Sequence, residues 1–213
     1  MFEYEKVIKE KVIHGTTTVA LKFNDGVVLA ADKRATAGYF IAHKKVKKIA
    51  KIDDRAAMTI SGLVADAQTL VDMVKAEINY YKLSLKKPVT IKTIASILSN
   101  IIFTYSRVLP YIVQLIVAGY DSKPRIYVLD WFGTITEENY TATGSGSPIA
   151  ISILETSFKK DLNEKEAIKV AVNAVNAAMK RDTASGEGVD VVVITKDGVK
   201  ELSVNEIKNV VGT

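Results

Sequence analysis

The residues that most directly invite chemistry lie near the start of this 213-residue chain. In His14-Gly15-Thr16-Thr17-Thr18-Val19-Ala20, a charged segment meets an alternating apolar stretch through one glycine. A threonine hydroxyl is a weak nucleophile unless a base lies beside it. A cut after Gly15 would make Thr16 an N-terminus. Its free α-amine, with an unperturbed pKa of about 8, would then sit next to its own hydroxyl. That pair is one of the recurring nucleophile–base arrangements. The same threonines also suit a β-strand, and these residues alone leave both readings open.

Other chemistries are narrowed by composition. With no cysteine, disulfides, thiolate metal sites and cysteine nucleophiles are excluded. The two histidines, His14 and His43, lack metal-ligand spacing, and neither a metal nor a cofactor is expected. The formal charge of +5 is a mild basic excess. Its densest run, Lys44, Lys45, Lys47, Lys48 and Lys51, has no interleaved aromatics, which argues against nucleic acid as a partner. No apolar run reaches the ~18 residues of a membrane span. The stretch from Met1 to Lys11 mixes acids and bases and does not resemble a secretory signal. The cytoplasm is the expected location.

The elements that must position such a site follow from periodicity. Thr17 to Phe23 alternates like a strand, Asn24-Asp25-Gly26 is a hairpin turn, and Val27 to Ala31 reads as a buried strand. Lys44 to Ile52 and Ala56 to Ile60 suggest a second pair. Leu63, Ala67, Leu70, Val71, Val74 and Ile78 recur at helical spacing, and Thr90 to Tyr105 forms a second helix. Strands resume at Val113 to Val117, Arg125 to Leu129, Thr134 to Ile135 and Tyr140 to Ala142. Helices are expected over Ser147 to Ser157 and Asn163 to Lys180. A hairpin over Val189 to Thr195 and Val199 to Leu202 follows, and then a short helix from Val204 to Val210, with Ser203 and Glu206 at capping-box spacing. Hairpins imply antiparallel pairing. Helices bunched between runs of strands imply an α+β fold in one domain, with two packed antiparallel sheets and helix pairs outside.

Certain segments, in this order, resemble a proteasome β subunit of prokaryotic or archaeal type. They are Gly15-Thr16-Thr17-Thr18-Val19, Ala30-Ala31-Asp32-Lys33-Arg34, Lys47-Lys48-Ile49, Ser61-Gly62-Leu63-Val64-Ala65-Asp66, Ala142-Thr143-Gly144-Ser145-Gly146-Ser147 and Arg181-Asp182-Thr183-Ala184-Ser185-Gly186. The resemblance covers the chain from Gly15 to the last helix. It implies a four-layer αββα sandwich of N-terminal nucleophile hydrolase type, with residues 1–15 a propeptide and 16–213 the mature domain. It implies threonine endopeptidase activity on unfolded polypeptides, with autocatalytic cleavage between Gly15 and Thr16. Thr16 would be the nucleophile, and Asp32 and Lys48 the carboxylate and ammonium beside it. The Gly62 N–H would face the developing oxyanion, and Ser145, Asp182 and Ser185 would surround the new N-terminus. These roles suit the chemistry, since a cation beside the hydroxyl favours loss of its proton and a donor at a helix start suits negative charge.

Carried over in the same way, the specificity pocket consists of Ala35, Val46, Ile60 and Val64, and cleavage after hydrophobic residues is expected. Thr36 and Gly62 would pair the extended substrate backbone. Asp66 either helps shape the cleft or favours the helix dipole. The implied partners are other β subunits in a heptameric ring, α subunits on one face, and a regulatory ATPase reached through the α ring. The competing expectation is a catalytically silent, unprocessed subunit that completes a heteromeric ring.

Overall fold

A computed structural model describes residues 15–212. The expected propeptide up to His14, and Thr213, lie outside the described residues.

The strand β1 (Thr18–Phe23) turns through Asn24-Asp25 into β2 (Gly26–Asp32). β2 pairs on its other side with β11 (Val189–Thr195), which pairs with β12 (Gly198–Glu201), and β10 (Tyr140–Thr143) borders β1. The second sheet runs in the order β5 (Ile49–Asp53), β6 (Ala56–Gly62), β7 (Val113–Tyr120), β8 (Pro124–Leu129) and β9 (Ile135–Glu137). Every pairing is antiparallel. A separate hairpin joins β3 (Ala35–Ala37) to β4 (Phe40–His43).

Successive strand residues face opposite sides, and here both sides are apolar. Val19, Leu21, Val28, Ala30, Val191 and Val193 pack under the helices α3 (Ser147–Ser157), α4 (Glu164–Met179) and α5 (Val204–Val211). The alternate residues Ala20, Val27, Leu29, Val192 and Ile194 meet Ala57, Ile116, Ala118 and Ile126 of the other sheet. On that sheet's outer face, Met58, Leu115 and Val117 pack against α1 (Val64–Leu85) and α2 (Ile91–Ser106). The result is the four-layer αββα sandwich expected from the sequence. Between the sheets, the Thr18 hydroxyl bonds the Thr143 hydroxyl at 2.7 Å and the Thr59 hydroxyl at 3.1 Å. This gives a buried polar tie beneath the end where β1 begins.

The structure departs from the sequence reading in three places. The lysine-rich stretch from Lys44 to Lys48 is not strand, because β5 begins only at Ile49. The β3–β4 hairpin occupies part of the region that carried no expected element. Helix α1 also runs on to Leu85, beyond the last strictly periodic residue, Ile78.

Candidate active site

One end of the sandwich gathers the entry to β1, the end of β2, the approach to β5, the end of β6 and two loops. The first loop, Gly144–Gly146, leads into α3; the second, residues 182–187, lies between α4 and β11. Thr16, Asp32, Lys48, Ser145, Asp182 and Ser185, far apart in sequence, are joined there by hydrogen bonds.

Asp32 ends β2 and is fully buried. Its Oδ1 accepts from Lys48 Nζ at 2.8 Å and from the Thr17 N–H at 2.9 Å. Its Oδ2 accepts from the Arg34 N–H at 3.0 Å and the Gly186 N–H at 2.9 Å. A buried carboxylate is tolerated only with such saturation. Lys48 is also buried, and its ammonium donates a second bond, to the Gly15 carbonyl oxygen, at 3.2 Å. Burial pushes the Lys48 pKa below the usual lysine value, and Asp32 opposes that shift.

The Thr16 hydroxyl donates to the same Gly15 carbonyl oxygen at 2.7 Å. The Thr16 N–H donates to Ser145 Oγ at 3.2 Å. Ser145 and Ser185 each place Oγ 2.6 Å from Asp182 Oδ2. A hydroxyl has one proton. With both serine protons directed at the carboxylate, Thr17 Oγ1, 2.8 Å from Ser185 Oγ, is the donor in that pair. A continuous chain therefore runs from Thr17 through Ser185, Asp182 and Ser145 to the Thr16 nitrogen. Sequence reading missed Thr17, one of three buried threonines in the same run.

Gly15 is required by contact. A Cβ there would lie 1.7 Å from Ala184 Cβ. The Gly15 N–H donates to Thr36 Oγ1 at 3.3 Å. Thr36, expected to align substrate, here holds the residue preceding Thr16.

Beside Thr16 opens a cavity of about 330 Å³. Val46, Ile60 and Val64, three of the residues carried over as the specificity pocket, form its apolar wall, and Gly62 and Lys48 border it. Ala35 does not line it. Ala35 opens β3, where the register with β4 is irregular. Lys47 and Gln68 complete the lining and were not foreseen. Gln68 is one helical turn from Val64 on α1, a spacing that would have revealed it once the helix start was fixed. The Lys47 ammonium is turned away to Glu201, at 2.8 Å.

The family model described as "Proteasome subunit" matches residues 12–194. The chain is 55% identical over 195 residues to proteasome subunit beta 2 of Aeropyrum pernix, covering 91% of this chain and 89% of that one. It is 51% identical over 203 residues to proteasome subunit beta 2 of Hyperthermus butylicus, covering 95% of both. It is 48% identical over 204 residues to proteasome subunit beta of Ferroglobus placidus, covering 95% of this chain and 97% of that one.

Proposed function

The chain belongs to the proteasome subunit family, among its β-type members, and from that premise we propose that it is a threonine endopeptidase made as a precursor and activated by cleavage after Gly15. One observation carries the reading. Lys48 Nζ, held by buried Asp32 at 2.8 Å, and the Thr16 hydroxyl both bond the carbonyl oxygen of Gly15, the bond-bearing group to be cut.

In the precursor, Lys48 polarises that carbonyl and favours negative charge on its oxygen. Thr16 Oγ adds to the Gly15 carbonyl carbon, its proton passes to the Thr16 nitrogen, the C–N bond breaks to leave that nitrogen as a free amine, and the Gly15 acyl group remains on Oγ as an ester. Water then hydrolyses the ester, releasing the Gly15 carboxylate and restoring the Thr16 hydroxyl beside its own free amine. In the mature subunit the amine replaces the amide that now donates to Ser145. It becomes the group that accepts the hydroxyl proton, with Lys48 stabilising the alkoxide. Asp182, Ser145 and Ser185 hold that nitrogen in place. The Gly62 N–H meets the oxyanion of the substrate, whose side chain enters the cavity walled by Val46, Ile60 and Val64. Those walls carry no acid, so the preferred residue before the cut is hydrophobic. The chain acts within a ring of β subunits capped by α subunits, on unfolded polypeptides delivered through the α ring with the help of a regulatory ATPase, in the cytoplasm.

The test is N-terminal sequencing and intact mass of the assembled particle, together with a panel of fluorogenic peptides. A chain beginning at Thr16, cleaving after leucine or tyrosine faster than after arginine, is expected. Thr16→Ala should leave the chain uncut and inactive. A full-length chain in every assembled state would favour the silent ring member instead. Hydrolysis that persists in Thr16→Ala would rule out this nucleophile.

A further inference from the structure

Resting on the assignment of Thr16 and the Gly62 edge of its cavity, we infer that Asp66 is a positioning residue, which fixes the corner carrying Gly62 by holding Ile112. Helix α1 begins at Val64 with Leu63 at its N-cap, and no side chain caps it. Asp66 stands third in the helix. A carboxylate there commonly turns back to the N-cap N–H or simply faces the helix dipole. Here its Oδ2 reaches across to the strand side and accepts the Ile112 N–H at 3.0 Å. The Leu63 N–H, the usual target of such a carboxylate, is taken by the Ile112 carbonyl at 2.9 Å. Both backbone polar groups of Ile112 are thus committed to the first turn of α1. The N-cap N–H is thus satisfied by another segment of the chain in place of a capping box.

This clamp bears directly on Gly62. Gly62 pairs with Val113 in the β6–β7 ladder and has φ of +117°. A Cβ on it would lie 2.1 Å from the Ile112 carbonyl oxygen. The glycine therefore sits flush against that carbonyl, and the plane of its peptide follows the position of residue 112. Ile112 itself lies just outside β7, after an irregular stretch from Arg107 to Tyr111. Without the Asp66 carboxylate its N–H has no partner from that side. A second anchor, the Tyr111 hydroxyl 3.9 Å from Met73 Sδ on α1, keeps the segment attached to the helix. Losing Asp66 should therefore loosen the corner without unfolding it. A misplacement of an ångström in a catalytic constellation costs about a hundredfold in rate, and loss of an oxyanion donor costs about 10²–10³-fold.

The test compares Asp66→Asn with Asp66→Leu in the assembled particle, using a hydrophobic fluorogenic peptide. Asparagine keeps an oxygen acceptor for Ile112 and discards the charge, whereas leucine discards both. The leucine variant should lose about 10–100-fold in kcat with KM changed by about twofold or less, the signature of an interaction made in the transition state. Asp66→Asn should restore kcat to within a few-fold. Hydrogen exchange supplies a readout independent of turnover. In the wild type, the Ile112 and Leu63 amides should exchange as slowly as those of the β6–β7 ladder, and both should quicken in Asp66→Leu. Wild-type kcat in the leucine variant would overturn the inference. Equal losses in both variants would reduce Asp66 to a dipole charge, and rapid exchange of the Ile112 amide in the wild type would remove the clamp outright. A wild type that forms particles but cleaves no peptide would instead defeat the assignment of Thr16, while the exchange data still decide the clamp.

Discussion

At the scale of single residues, Asp32 and Lys48 form one buried pair but do not carry equal structural weight. Lys48 gives its protons to Asp32 and the Gly15 carbonyl. Asp32 accepts, besides Lys48, the backbone N–H groups of Thr17, Arg34 and Gly186. Deleting one partner of a buried pair costs about 3–5 kcal/mol, and each orphaned buried N–H adds about 1–3 kcal/mol. Lys48→Ala is therefore expected to abolish self-cleavage and turnover in a chain that still folds, whereas Asp32→Ala should unfold at clearly lower denaturant. Denaturation midpoints decide it, and a midpoint for Asp32→Ala at or above that of Lys48→Ala would contradict the ordering. The pH dependence has a definite sign. Burial lowers the Lys48 pKa in the folded chain. Between that value and 10.5 the unfolded chain holds the extra proton, so the contribution of this group to stability rises with pH. The residues of this site were legible in the sequence because each sits in a short, ordered cluster of small and charged residues. Thr17 and Gln68 were not, because a second threonine and a glutamine on a helix carry no signal until the strand face and the helix start are fixed in space.

At the scale of elements, the fold was readable wherever periodicity and termination signals coincided. Helix α3 spans Ser147–Ser157 as expected, with Pro148 at its start. Strand β11 spans Val189–Thr195 because its apolar run ends at a tight turn. The β3–β4 hairpin was invisible, since its strands are short and mostly exposed, and burial is what imposes alternation. Lys44 to Lys48 looked like strand because alternate apolar and charged residues suit one, yet its backbone finds no ladder. The last helix tests how far a cap alone holds an element. None of the residues of α5 is fully buried, and Ile207, Val210 and Val211 only lean on the core. Its start relies on Ser203 and Glu206, which bond each other's N–H groups at 2.8 and 3.3 Å, and on Lys200 at 2.7 Å from Glu206. Lys200 first, and then the Ser203 bonds, draw the Glu206 pKa from 4.5 down to about 2. A depressed carboxylate stabilises fully above its unfolded value and loses that contribution as pH falls toward the folded one. The Ser203 amide resonance should then titrate with a midpoint well below 4.5. Because Glu206 is exposed, high salt or Lys200→Met should move the midpoint upward. A wild-type midpoint near 4.5 at low salt would show that the cap is not formed in solution.

At the scale of the whole molecule, the layers differ in what they leave uncovered. The two large sheets and the inner faces of the five described helices are closed. The corner where α2 ends is not. Phe103, Val108 and Leu109 stand mostly exposed there. The β8–β9 loop, tied to α2 by the Ser99 hydroxyl on the Gly133 carbonyl, adds Phe132 beside them. Scattered exposed apolar residues are ordinary, but several gathered at one corner mark a surface that meets another protein. We predict that in the proposed ring a neighbouring subunit covers this surface. Burying an exposed Val, Leu or Phe contributes about 1.5–3 kcal/mol each, so two charged substitutions should suffice to weaken the contact. Val108→Glu with Phe132→Glu is expected to shift the chain from assembled particle toward free subunit in native mass spectra. The stability of the free chain should change by no more than about 0.5 kcal/mol, as surface substitutions generally do. Lys160→Glu, at the opposite end of the sandwich beside Phe158 and Asn24, serves as the control and should leave assembly unchanged. If the doubly charged variant assembles as fully as the wild type, the corner is an ordinary apolar surface and the ring contacts lie elsewhere. If it assembles poorly and also retains the Gly15–Thr16 bond, then seating Gly15 against Ala184 depends on neighbours. The cut that frees Thr16 would then be set by assembly as well as by the site's own geometry.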